Sequence, residues 1–401
     1  MFEVRYVGNK TTKAFRAFDF NQVVIKENGF LDDFRRAQSN GWLARAATGA
    51  FNPVYNPAIA GSQELKVFPL LPNGGNLTTA ANLNYLQTGQ VGEMASNYQV
   101  TRANGPINFY RNPYGLGMNY ITNYSNASYN ALQVEARKRM RRGLSLEGNY
   151  TWSKVLSDAL GDGQARFEPF LDMENPKIER ARAGFDLTHA LKMNYVYDLP
   201  LGKGHRADFA PLRMLLGGWS TSGIFTWQSG SPFSILSLRG TLNRTARSAT
   251  NTAGTNLTGE ELKDVVGFFM TGDGPMFINP SAINASDGRG VAADGQPFFA
   301  GQAFYNPAAG SVGALQRRMF SGPSVWTMDF GLQKKFAITE RHSLEFRMDA
   351  TNFFNHPTFW LGDEGLAPTP GQFNVNDPGF GRIPGTFYGR RIVQFGLRLR
   401  F

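Results

Sequence analysis

Arg391-Ile-Val-Gln-Phe-Gly-Leu-Arg-Leu-Arg-Phe401 closes the chain. Val393, Phe395, Leu397, Leu399 and Phe401 are apolar, and Gln394, Gly396, Arg398 and Arg400 stand between them. Successive side chains of a strand point to opposite faces, so this segment has one greasy face and one polar face. Roughly 9–11 residues suffice for a tilted strand to cross a bilayer. An apolar face toward lipid and a polar face toward water is the pattern of a transmembrane barrel. A soluble edge strand seldom alternates so regularly to its last residue.

The same alternation recurs upstream. Leu132, Val134, Ala136, Lys138 and Met140 oppose Gln133, Glu135, Arg137 and Arg139, and Arg141-Arg142-Gly143 turns the chain. Leu144, Leu146, Gly148, Tyr150 and Trp152 then oppose Ser145, Glu147, Asn149, Thr151 and Ser153. Further strands are expected over 187–198, 217–228, 325–336 and 343–354. In the last, Leu344, Phe346 and Met348 oppose Glu345, Arg347 and Asp349. Near the start, Phe2 to Val7 alternates, Gly8-Asn9-Lys10 has turn chemistry, and Ala14 to Phe20 reads as a second strand. Two long stretches, about 21–128 and 229–323, read as polar and irregular loops, with one short helix around Leu31 to Gln38. Their Gly, Asn and Pro content argues against a packed domain there. Connections alternate short and long, as periplasmic turns and extracellular loops do in outer-membrane barrels. The fold class expected is all-β: an antiparallel transmembrane barrel portion of about nine or more long strands.

Composition narrows the function. The chain has 401 residues, no cysteine and a net charge of +10, so disulfides, thiolate metal sites and cysteine nucleophiles are excluded. No apolar run reaches the roughly 18 residues of a membrane helix, and lipid-spanning segments must then be barrel strands. Outside Arg137 to Arg142 the basic residues are dispersed and accompany no nucleic-acid motif, so no nucleic-acid partner is expected. There is no G-x-S-x-G, H-E-x-x-H or Walker A pattern. His189, His205, His342 and His356 are scattered without metal-ligand spacing. Neither an enzyme, a metal site nor a cofactor is expected. By alternation, Glu135, Arg137, Arg139, Glu147, Asn149, Glu345, Arg347 and Asp349 face the lumen, while Leu132, Val134, Leu144, Leu146, Leu344 and Phe346 face outer-membrane lipid.

Several segments, in this order, resemble the Oar-like TonB-dependent receptors, the class with a carboxypeptidase-regulatory-like domain near the N-terminus. They are Gly29–Arg36, Tyr129–Arg139, Gly143–Lys154, Glu179–Ala181 with Phe185–His189, Leu216–Trp219 with Ser229–Phe233, Asn352–Pro357 and the final strand. The resemblance implies a ligand taken up at the outer surface of a Gram-negative cell through a plugged barrel of about 22 strands, energised through TonB. It implies that Phe401, with Leu399, Leu397 and Phe395, signals to the outer-membrane barrel-assembly machinery. Residues 1–401 correspond only to the barrel part, with no plug, signal peptide, TonB box or regulatory-like domain, so TonB coupling and export are expected to depend on sequence outside them. The identity of the extracellular ligand is not legible; Trp42, Tyr55, Tyr98 and Phe109 are aromatic residues of the first loop that a ligand could stack on. Two other readings fit the same residues: a self-contained small porin or adhesin-like barrel without TonB, and a soluble β-rich binding protein. Counting strands gives nine, an odd number, with Met1 on the outer side and residues 2–7 left with an unpaired edge or an irregular closure.

Overall fold

The computed structural model describes residues 1–159, 167–201, 215–339, 341–362, 371–386 and 389–401. Eight long strands make one antiparallel sheet in chain order. They are β1 (Phe2–Asp19), β2 (Asn119–Arg141), β3 (Leu144–Ser157), β4 (His189–Asp198), β5 (Trp219–Gln228), β6 (Val325–Ala337), β7 (Ser343–Thr351) and β8 (Ile392–Arg400). A two-residue strand, Ala181–Arg182, adds to the end of β3. The sheet is not closed: β1 and β8 are its edges and do not pair with each other.

The odd strand count is corrected here. Gly8, Asn9 and Lys10 do not turn; they pair with Asn130, Tyr129 and Ser128 along the β2 ladder. The local break is a β-bulge. Thr11 pairs with Ala127 and Ala14 with Ser125, so Thr12 and Lys13 together oppose Asn126, with Lys13 at φ 57°. One long strand therefore replaces the expected hairpin. Met1 lies at the turn end, where its ammonium donates to the Arg137 carbonyl at 2.9 Å. β1 and β8 now run in opposite directions. β1 does carry an open edge, though not because the number of long strands is odd.

The genuine tight turn is Arg142-Gly143, both at positive φ (54° and 77°), between the paired Arg141 and Leu144. Two central residues at positive φ make a type I′ hairpin, whose twist suits a right-handed strand pair. A Cβ on Gly143 would sit 2.8 Å from the Asp198 carbonyl oxygen.

The long connections depart most from expectation. They are neither irregular nor unpacked; they fold into a cap with two hydrophobic cores. The first connection carries three helices: α1 (Phe30–Thr48), α2 (Ala80–Gln87) and α3 (Val91–Val100). In α1, Phe30, Leu31, Phe34, Ala37 and Ala44 recur at helical spacing and are buried. Gly29 and Gly49 bracket the helix in the left-handed region. Phe30, Phe34, Phe68, Tyr98 and Phe109 pack edge to face around it. Each fully buried Phe contributes about 1.5–3 kcal/mol, and burial pushes the Tyr98 phenol pKa upward. The buried Asp33 carboxylate accepts from the backbone N–H groups of Lys66, Val67 and Phe68 at 2.7–3.0 Å. The second core joins the connections after β5 and β7 through Phe233, Phe277, Phe304, Phe373 and Phe380. Sparse aromatic residues among many Gly and Asn hid both cores from a reading of composition.

Buried charges fasten this cap to the sheet. Asp19, at the end of β1, accepts from Arg244 Nη2 at 2.5 Å, Arg247 Nε at 2.6 Å and the Met118 N–H at 2.8 Å. Arg16 is wholly buried. It donates to the carbonyls of Asp158, Glu168 and Pro169 and lies 3.7 Å from Glu179, which also pairs with Arg317 at 2.8 Å. Removing one partner of a buried pair strands the other charge. Asp19→Ala is expected to destabilise the cap by about 3–5 kcal/mol. The measurement is limited proteolysis of the 229–323 segment in the folded protein, which should become markedly faster; an unchanged cleavage rate would deny Asp19 this role.

Candidate functional site

Cross-strand register sorts every long strand into the same two faces. On one face, Val134, Tyr150, Leu191, Trp227 and Trp326 are successive partners from β2 to β6. Leu344, Phe346 and Met348 pair with Leu399, Leu397 and Phe395 on that face. Its tryptophans fall at two levels, with Tyr195 and Phe330 between them. Near the loop end, Tyr150 stacks on His189 and donates or accepts a 2.8 Å hydrogen bond with its Nδ1. Trp227 lies beside His189, and Trp326 beside Phe225 and His356. Near the turn end, Trp219 meets Phe346, and Phe346 meets Phe395. Trp219 and Trp227 share β5, about 26 Å apart at roughly 3.3 Å per residue. That matches the apolar band of about 25 Å between the aromatic girdles of outer-membrane barrels.

Lys334 lies on this apolar face and escaped the sequence reading. It is 1 % exposed. Its ammonium is held under the Trp219 and Phe336 rings and donates to the carbonyls of Leu215 and Gly217. The stem stays in the apolar surface while the charge reaches the turn. A lysine interrupting an apolar stripe one turn from the strand end is the signal that could have found it.

The opposite face is polar and concave. Arg137 bridges Glu135 at 3.0 Å and Glu147 at 3.1 Å. Glu345 pairs with Arg400 at 2.9 Å, and Arg347 with Asp349 at 2.7 Å. Asn149 pairs with both Glu135 and Lys192 in register. The structure thus brings seven of the eight charged or polar residues singled out in the sequence onto one face, in two groups near opposite edges of the sheet. Arg139 is the exception. Lys138 pairs with Leu146 and Arg141 with Leu144, so Arg139 and Met140 bulge opposite Ser145 and alternation no longer fixes the side. Phe395, Leu397, Leu399 and Phe401 are all well exposed on the edge strand. Trp42, Tyr98 and Phe109 serve packing inside the cap, while Tyr55 is exposed. His205 lies outside the described residues.

Two cavities open on the polar face, and Lys192 of β4 lines both. One, of about 700 Å³, is bounded by Asn9, Gln133, Asn149, Thr151 and Ser153. The other, of about 820 Å³, is bounded by Thr226, Gln228, Thr327, Asp329 and Asn352. Thr226 and Thr327 share a 3.0 Å hydrogen bond between their hydroxyls, and Asp329 accepts from the Asn352 N–H at 3.0 Å. The lining offers alternating hydroxyl, amide and single charged groups to water or to a polar solute.

An amphipathic sheet with this height, girdles and alternation has a family to match. The outer membrane beta barrel domain pattern covers residues 1–394. The chain belongs to that family. A cell outer membrane location follows from the membership. No protein of curated function matches the sequence. Among solved structures, the chain is similar to one titled "Structure of the FpvAI-pyocin S2 complex", at 9 % identity and a TM-score of 0.29. The match covers 76 % of this chain and 22 % of that one, so this domain spans about a fifth of the length of the matched chain. A likeness at that level adds nothing to the fold already described.

No helix among the described residues is long and apolar enough to cross a membrane, and no group of three or more acidic or imidazole side chains among them could hold a metal ion. Because the chain lacks cysteine, single cysteines report each face without background. Asn149→Cys and Thr151→Cys are expected to react with a water-soluble maleimide in membranes, and Leu146→Cys and Leu344→Cys to resist it. Reaction at all four positions would show that the apolar face meets water.

Proposed function

We propose that this outer membrane beta barrel domain is the barrel part of an Oar-like TonB-dependent receptor, taking up an extracellular ligand with energy delivered through TonB to other parts of the full-length protein. Under this reading the loop end faces outside and the turns face the periplasm. The observation that carries it is the concave polar face lying beneath a packed cap. An open diffusion pore needs no folded cap with its own cores; a receptor needs a shaped surface outside and a polar route behind it. Residues Glu135, Arg137, Glu147, Asn149, Glu345, Arg347 and Asp349 line that route, and the opposite face meets lipid.

Some of the motifs that carry the family resemblance give further support, because they sit where the chain passes between sheet and cap. Glu179 and Asp186 are buried anchors: Asp186 accepts from the Val155 N–H at 2.6 Å and from Arg182 Nε at 2.8 Å. Gly230 lies so close to Gly322 that a Cβ would come within 1.9 Å of its carbonyl oxygen. Asn352, at φ 46°, donates through its side-chain amide to the carbonyls of His356 and Gly389. A receptor that shares these motifs shares the way its loops are held.

The full-length protein in intact cells is the test. A protonophore should abolish ligand uptake while surface binding persists, since energy reaches the barrel only through TonB. Uptake indifferent to the protonophore would favour the small-porin reading, which the opposite directions of β1 and β8 also suit. For the assembly signal, Phe401→Ser in the exported protein should lower the heat-modifiable folded fraction in outer membranes. Unchanged assembly would leave Phe401 a lipid-facing residue only.

A further inference from the structure

Of the basic run Arg137 to Arg142, only Arg137 belongs to the polar route. The structure makes the run the tip of the β2–β3 hairpin. Arg137 is consumed by its bridges to Glu135 and Glu147. Lys138, Arg139, Arg141 and Arg142 are exposed and make no ion pair among the described residues. A β-bulge at Arg139 and Met140 and a type I′ turn at Arg142 splay these cations rather than stacking them on one face. On the apolar face beside this tip lie the exposed side chains of Phe2, Val4 and Leu132. The same end of the sheet carries the exposed Arg341 in the β6–β7 turn and Arg398 on β8. Cations therefore collect where the apolar band stops, at both sides of the open sheet.

We infer that the β2–β3 hairpin tip is a binding site for anionic phospholipid headgroups of the leaflet at the turn end. Lys138 pairs with Leu146 on the apolar face, so its stem can lie along apolar surface with its charge at the headgroups, and arginine forks can each take two phosphate oxygens. The boundary position places the four charges at headgroup depth rather than in the acyl region or in bulk water. An acidic protein partner would be met by cations facing away from the membrane; here they ring an apolar surface. The inference goes beyond ligand uptake and depends only on the membrane placement of the apolar face.

The test uses the full 401-residue chain in nanodiscs of phosphatidylcholine mixed with phosphatidylglycerol. Lipids retained by the protein on release are identified by native mass spectrometry. The protein is expected to retain phosphatidylglycerol in excess, and each of Lys138→Gln, Arg139→Gln, Arg141→Gln and Arg142→Asn to reduce the preference by about fivefold, the equivalent of roughly one surface charge. Asn at 142 tolerates the positive φ that the turn requires. Lys263→Gln, at the loop end, should leave the preference intact. The variant Lys138→Arg, which keeps the charge, guards against a folding defect and should also retain it. Equal retention of the two lipids by the unaltered chain, or a preference surviving the combined four-residue variant, overturns the inference. So does a combined variant that keeps its lipid but loses crosslinks to an acidic periplasmic protein, which would make the tip a protein-docking site.

Discussion

The governing constraint is that a backbone in lipid has no water to bond with. Every N–H and C=O in the apolar band must find a partner on a neighbouring strand. That demand fixes the ladder register, and the register fixes which side chains share a face. A slip of one residue on any strand would send its apolar set into the concave side and its charges into lipid. The uninterrupted ladder through Gly8, Asn9 and Lys10 shows the constraint overriding local turn preference. Where β1 must absorb an extra residue it uses a bulge, and it does so at Thr12-Lys13, near the loop end, where Asp158 accepts from the Asn126 N–H facing the bulge. The edges at β1 and β8 are the two places where the demand is not met within the sheet.

Beyond the apolar band the rules change. β2 is 23 residues long, about 75 Å at roughly 3.3 Å per residue, and its upper part rises with β1 out of the span a bilayer requires. There the sheet meets water and the cap, and burial of Arg16 and Asp19 becomes possible because carbonyls, carboxylates and guanidinium groups converge from several connections. Buried ion pairs add little net stability against an apolar alternative, but a broken one is costly. Their effect is to allow one docking of cap on sheet and to penalise the others. The cap's own aromatic cores supply the favourable free energy.

This division of labour bears on function. Strand faces provide height, insulation and a polar interior; connections provide shape outside. Lys192 lines the cavities of about 700 and 820 Å³ on the polar face, so the two share one charge. The segments that resemble TonB-dependent receptors lie on strands, at crossings between strand and cap or, for Gly29–Arg36, in the cap helix α1. They speak to how the loops are mounted.

Alternation in the sequence determined the strand class, the two faces and the position of nearly every long strand, because a period of two survives even when each strand alone is a weak signal. It also placed Glu135, Arg137, Glu147, Asn149, Glu345, Arg347 and Asp349 on a common face, because antiparallel partners share the side to which they point. Three things were decided only by the tertiary structure. The continuity of β1 depends on hydrogen bonds to residues more than a hundred positions away, which no local turn propensity contains. The side of Arg139 depends on a bulge set by its partner strand. The packed cap depends on Phe30, Phe68 and Phe109, and on Phe233, Phe277 and Phe373, meeting across long stretches of Gly, Asn and Pro. Such cores have no period to read, since their members are brought together by the sheet that holds the ends of each connection.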